Sequence, residues 1–334
     1  MLNPFKLIDC IDVLKLVGNT PIVKLKRIIN GKTANIWVKL EYYNPTGSHK
    51  DRIALFMLCR ALEKGLIKRG DTVVEASSGN TGISVAYIAS LLGLRAVIVV
   101  PENISPDKKR LIKLMGGEII EVEENLDPKT YRLMAKKIAE EMGGYYVGQY
   151  DNPANPEAHY LTTGPEIWNQ LNGKVDAFVM GIGTGGTLTG VGRFLKQKRR
   201  NIKIFAVEPE GSIISKIVRG EKSSYKPHII EGLTGYDIPA NLDTSIIDEY
   251  ITVPQIEAVK TCYKLLRYEG IFAGPSTGAN IYASLLIAKE MDSNSNIVTI
   301  AADTGYKYLS TIYNETWLKE KLGLNIKSLF SQTL

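Results

Sequence analysis

Lys50 stands in the stretch NPTGSHKDR (44–52), directly after a Gly-Ser turn and at the start of a helical pattern, with His49 beside it. A primary amine so placed has two chemical uses. It can form an imine with a carbonyl, or it can move a proton. The plainer alternative is a first helical turn of solvated charges from Lys50, Asp51 and Arg52. Other stretches decide between these. In SSGNTG (77–82), hydroxyls and an amide sit among glycines where a helix begins, so backbone N–H groups and side-chain donors converge. That is an anion cradle, as suited to a carboxylate as to a phosphate. A simple helix cap by Ser78 or Asn80 is the plainer alternative there. In GTGGT (183–187), Gly183, Gly185 and Gly186 let the backbone approach a dianion, and Thr184 and Thr187 add hydroxyl donors. No lysine follows at the P-loop position, which removes Walker-type nucleotide hydrolysis. In AGPSTGAN (273–280), small residues surround Ser276, whose hydroxyl suits a heterocyclic nitrogen. QYDNPANPEAHYLTTGPEIW (149–168) starts polar and leads into a helix.

A lysine at a helix start, a phosphate cradle, a carboxylate cradle and a serine for a ring nitrogen together describe a pyridoxal 5'-phosphate site. The lysine forms the imine, and the ring serves as electron sink for a Cα carbanion. A serine at the pyridine nitrogen, in place of a carboxylate, keeps that nitrogen unprotonated and favours β-elimination over transamination. The rival is an NAD-dependent dehydrogenase. Gly181, Gly183 and Gly186 satisfy G-x-G-x-x-G, and Glu208 follows at the spacing of a ribose-binding acid. That rival leaves 44–52 and 77–82 unexplained.

The elements that must hold these residues follow from periodicity. TVVEA (72–76), RAVIVV (95–100), EIIEV (118–122), AFVMGIG (177–183), KIFAVEPE (203–210) and NIVTIAA (296–302) are continuous apolar runs, as strands buried on both faces should be. Amphipathic stretches at 81–93, 128–144 and 254–270 alternate with them and predict helices. The rhythm predicts an α/β fold, a doubly wound parallel sheet with helices on both faces, and the length allows two domains or one large α/β unit. The segment 211–248 reads as loop-rich. The 334 residues are 44% hydrophobic and 23% charged, the balance of a soluble globular protein. No apolar run approaches the roughly 20 residues of a membrane span. Cys10, Cys59 and Cys262 are unpatterned and suit a reduced cytoplasmic setting, and no histidine pair has metal-ligand spacing. The charge of +6 has its densest run, KQKRR (196–200), at a helix end, where it complements the helix dipole. We therefore expect no nucleic-acid, membrane or metal partner, and a mild positive field for small anions.

From GNTPIVKL (18–25) through YKYLST (306–311), the chain resembles the cysteine synthase and cystathionine β-synthase family of fold-type II pyridoxal phosphate enzymes, which are tryptophan synthase β-like. The resemblance makes Lys50 the Schiff-base lysine. It makes Ser77, Ser78, Asn80 and Thr81 the substrate-carboxylate loop, with Asn80 also on the cofactor's ring hydroxyl and Gln149 on the carboxylate. Gly183, Thr184, Gly185, Gly186 and Thr187 become the phosphate loop, and Ser276 the partner of the pyridine nitrogen. It implies β-replacement on O-acetylserine or O-phosphoserine with sulfide, giving L-cysteine through an α-aminoacrylate. It also implies a homodimer. By the same likeness the fold is α/β with two doubly wound domains, each with a mainly parallel sheet, and 1–21 and 44–154 form a smaller mobile domain with the lysine and carboxylate loop. Residues 22–43 and 155–334 form a larger one with the phosphate loop and serine. The length leads us to expect neither a haem-binding extension nor a C-terminal regulatory module. Three departures bear on the substrate. His49 stands where cysteine synthases have an aliphatic residue and resembles the tryptophan synthase β-chain. Ala76-Ser77 replaces a usual Pro-Thr. EGLTGYDIP (231–239) is similar to the segment of cystathionine β-synthases. Cystathionine formation from serine and homocysteine, serine or threonine dehydration, and a catalytically silent binding module stay as alternatives. Arg219, Lys222, Lys226 and His228 are the candidate cations for a phosphate leaving group.

Overall fold

The computed structural model describes residues 11–29, 31, 33–124, 126–325 and 329; Cys10 lies outside them. Its strands in chain order are β1 (Ile22–Lys24), β2 (Asn35–Leu40), β3 (Thr72–Ala76), β4 (Arg95–Pro101), β5 (Gly117–Val122), β6 (Tyr145–Tyr146), β7 (Ala177–Gly181), β8 (Lys203–Pro209), β9 (Glu249–Val253) and β10 (Asn296–Ala301). Its helices are α1 (Lys50–Glu63), α2 (Asn80–Leu92), α3 (Pro106–Leu114), α4 (Pro128–Glu141), α5 (Ala154–Ala158), α6 (Gly164–Gln170), α7 (Gly186–Lys198), α8 (Ile214–Val218), α9 (Gln255–Lys264), α10 (Pro275–Glu290) and α11 (Glu315–Leu322). Two compact units divide the chain. One takes Met1–Asn19 and Asn44–Ala158, the other Thr20–Tyr43 and His159–Leu334.

The first unit carries a sheet of order β5-β4-β3-β6, every pair parallel. The second carries β1-β2-β10-β7-β8-β9, parallel except where β1 meets β2. Successive strand residues point to opposite faces, and both faces are covered. In the first unit Val73, Ile98 and Val100 pack with α1 and α2, while Val74, Val97 and Val99 pack with α4. In the second, Val179, Val207 and Ile297 lie in one core and Phe178, Ala206 and Val298 in the other. Each such valine, isoleucine or phenylalanine side chain contributes about 1.5–3 kcal/mol on burial, which is why these runs carry no alternating polar residues.

The departures have physical causes. EIIEV is an edge strand, so Glu118 and Glu121 are exposed and Ile119 and Ile120 only half-buried. The short β1 and β6, and β2 and β9, lie outside the predicted runs. In β2 the interruption is Lys39, which is fully buried against Glu166 at 2.8 Å, so a polar residue sits in a core strand. The stretch 254–270 forms α9 and then a wider π-type turn over Leu265–Glu269, ending at Gly270 with φ +69°. Segment 211–248 is irregular apart from α8 and a single turn at Thr244–Ile246. Among the described residues, no helix is long and apolar enough to cross a membrane.

Candidate active site

In the first unit, Lys50 is the first residue of α1, and its Nζ lies against His49 Nε2. The turn before it is locked from within. Gly18 N donates to Asn44 Oδ1 (2.8 Å), Gly47 turns the chain with φ +76°, and Thr46 donates its N–H (2.8 Å) and hydroxyl (2.5 Å) to Asp51. Ser84 of α2 donates to the same carboxylate at 2.6 Å. Asp51 therefore ties the lysine's helix to the helix that opens at SSGNTG. Asp51 and Arg52 are buried, at 0% and 1% exposure, which overturns the solvated-charge alternative. Asp51 was not among the expected site residues.

The start of α2 is not a simple cap either. Its N-cap is Gly79, with no side-chain cap bond, so neither Ser78 nor Asn80 fills that role. Ser77 Oγ accepts from Gly79 N at 3.2 Å, and Ser78 is exposed. Gly82 lets the helix close on β4, because a Cβ there would stand 2.7 Å from Ile98. The 13-residue helix directs its first N–H groups toward the loop, as an anion requires. Thr81 donates its hydroxyl to Gln149 Oε1 at 2.6 Å, so these two of the five expected carboxylate residues share one network. Behind them lies Glu75, fully buried at the end of β3 and bonded to Gln149 at 2.9 Å.

In the second unit, GTGGT joins β7 to α7. Gly185 is the N-cap with φ +80°, which only glycine adopts freely, and its Cβ would stand 2.7 Å from Leu242. A Cβ on Gly183 would stand 2.5 Å from the Gly232 carbonyl oxygen. Thr184 and Thr187 are both 6% exposed. A cradle of bare backbone at the N-terminus of a 13-residue helix fits a phosphate. Ser276 sits in the first turn of α10, and Gly232 would place a Cβ 3.5 Å from its hydroxyl. Gly232, in EGLTGYDIP, thus lies beside both GTGGT and Ser276. His159, which sequence reading passed over, bridges the hydroxyls of Thr163 (2.9 Å) and Thr187 (3.0 Å) while completely buried.

The dehydrogenase reading loses its acid. Glu208 accepts from Ser212 Oγ (2.7 Å), Ser215 N (3.2 Å) and Ser215 Oγ (2.5 Å), which fixes the start of α8. Of the expected cations, burial pushes His228 down to about 4, so it is neutral near pH 7. Arg219, Lys222 and Lys226 are exposed.

Two mostly parallel α/β units with a lysine at a helix start and glycine cradles at strand ends define a fold-type II pyridoxal phosphate enzyme. Residues 13–303 match the family model described as "Pyridoxal-phosphate dependent enzyme", and the chain belongs to that family. It is 44% identical over 301 residues to a cysteine synthase of Staphylococcus aureus, covering 90% of this chain and 96% of that protein. It is 40% identical over 319 residues to a cystathionine beta-synthase of Apis mellifera, covering 93% of this chain and 62% of that protein. A crystal structure of O-ureido-L-serine synthase superposes with a TM-score of 0.85 at 37% identity, covering 99% and 100% of the two chains. The protein is a pyridoxal phosphate-dependent enzyme of the cysteine synthase type.

Proposed function

We propose that the protein makes L-cysteine by β-replacement, exchanging the β-substituent of O-acetylserine or O-phosphoserine for sulfide. The observation that carries this is Lys50, a primary amine opening α1 and tied through Asp51 to the helix of SSGNTG. In this reading Ser77, Ser78, Asn80, Thr81 and Gln149 receive the amino-acid carboxylate, and Asn80 also serves the cofactor's ring hydroxyl. Gly183, Thr184, Gly185, Gly186 and Thr187 hold the phosphate. Ser276 offers the pyridine nitrogen a hydroxyl and so keeps it neutral. Bound pyridoxal phosphate supplies the electron sink for charge developing at the substrate Cα. Lys50 takes the Cα proton on Nζ and returns it once sulfide has added to the β-carbon. A second reading, serine with homocysteine, is favoured by EGLTGYDIP (231–239) and by the Apis relative.

Purified protein should show the visible imine band. Lys50→Ala should abolish it and lower turnover on the order of 10³-fold. Wild-type turnover in that variant would end the assignment. L-serine, O-acetylserine and O-phosphoserine, each followed by sulfide or by homocysteine, identify donor and acceptor. Turnover confined to serine with homocysteine would replace the first reading by the second.

A further inference from the structure

A glutamine side-chain amide has two N–H donors and one carbonyl. In Gln149 both donors point inward, Nε2 donating to Glu75 Oε1 at 2.9 Å and to the Ala76 carbonyl at 3.2 Å. The carbonyl accepts the Thr81 hydroxyl at 2.6 Å. Glu75, Gln149 and Thr81 are 0%, 5% and 2% exposed, so no solvent competes for these bonds. An arriving carboxylate can receive an N–H from Gln149 only when one inward bond is released. Of the two acceptors, Ala76 O is fixed backbone and neutral, whereas Glu75 is itself a carboxylate.

We infer that Glu75 is a positioning residue that competes with the amino-acid carboxylate for the side-chain amide of Gln149. This rests on the proposed role of Gln149 in receiving that carboxylate. Ionised Glu75 holds the amide most strongly, since hydrogen bonds to a charged acceptor are roughly twice as strong as neutral ones. It also repels a second carboxylate nearby. Both effects have the same sign, so amino-acid binding weakens as Glu75 ionises.

Its surroundings set where that happens. Besides the amide, Glu75 accepts from the backbone N–H of Gln149 at 3.4 Å and from that of Gly148. Burial raises its pKa to about 8 against those donors, and the charge of Asp151 adds to the rise. Tyr131 of α4 and Tyr146 of β6 also face it, their own ionisation pushed up by burial first and then by Glu75. Arg132 of α4 acts on Tyr146 and lies over the Tyr150 ring. Among the described residues, no lysine or arginine pairs with Glu75.

The test compares L-alanine, which has no leaving group, with L-alaninol, the same amine without a carboxylate. Binding to holoenzyme is read from the cofactor absorbance at pH 7 and pH 9, in wild type and in Glu75→Gln. In wild type the ratio of L-alanine to L-alaninol affinity should fall up to about tenfold over that range. In Glu75→Gln it should stay level. Equal falls in both proteins overturn the inference. If the imine band is present and neither amine perturbs it, the proposed function fails instead. Should Glu75→Gln not fold, the Gln149 side-chain amide resonance of wild type decides. It should shift with a midpoint near pH 8 and move again on adding L-alanine, and a resonance flat across pH overturns the inference.

Discussion

Helices α2 and α7 both begin where a parallel strand ends, and both open on glycine-rich sequence, yet the two starts are made of different material. At α7 the cradle is backbone. Gly183 and Gly185 admit no Cβ, being held against the Gly232 carbonyl and Leu242 at 2.5 and 2.7 Å, and the supporting side chain, His159, works through Thr187. At α2 the N-cap makes no side-chain bond, and the start of the helix is held by Thr81, Gln149 and a buried carboxylate, Glu75. Backbone N–H groups do not titrate, so a cradle made of them selects by shape and holds at every working pH. A cradle made through side chains is adjustable. That division suits the roles proposed above, a resident cofactor at the α7 start and an exchanging substrate at the α2 start.

The contrast breaks most visibly at Gly185. An alanine there must adopt φ near +80° and must displace Leu242. The left-handed conformation costs about 1–2 kcal/mol and the overpacking about 1–3. Gly185→Ala should therefore weaken pyridoxal phosphate binding on the order of 100-fold, measured by titrating apoprotein with the cofactor. Wild-type affinity in this variant would mean that shape does not limit the cradle.

The glycines of that cradle are legible in the sequence because their chemistry is local. GTGGT follows a continuous apolar strand, and three glycines in five residues have few other uses. The strands TVVEA and KIFAVEP are legible for the same reason, as runs buried on both faces. What supports the site is not. Glu75 sits inside one of those runs and shows only as an acid among valines, because its partner Gln149 lies 74 residues further on. Likewise Thr187 meets His159 across 28 residues, with no periodicity linking them. Lys39 interrupts β2 for a similar reason, since its ion pair with Glu166 exists only after folding. Local spacing reveals the residue types that suit a ligand, and long-range pairing decides how they are aimed.

His159 sharpens the comparison from the second unit. Replacing it with leucine leaves the hydroxyls of Thr163 and Thr187 buried without their shared partner. Such a loss costs about 1–3 kcal/mol. His159→Leu should weaken pyridoxal phosphate binding about tenfold while leaving binding of pyridoxal, which has no phosphate, unchanged. An equal loss for both compounds would make His159 a general packing residue.

The smallest effect is expected at Thr81, where a single hydroxyl is at stake. Thr81→Val keeps the shape and the backbone N–H but withdraws the 2.6 Å bond to Gln149 Oε1. At about 1 kcal/mol for one such bond, L-alanine should bind about fivefold more weakly. L-alaninol should bind as before, and Thr81→Ser should recover most of the loss. An unchanged L-alanine affinity in Thr81→Val would show that the α2 start, like that of α7, works through its backbone alone. The contrast between the two cradles would then lie in glycine content and not in the use of side chains.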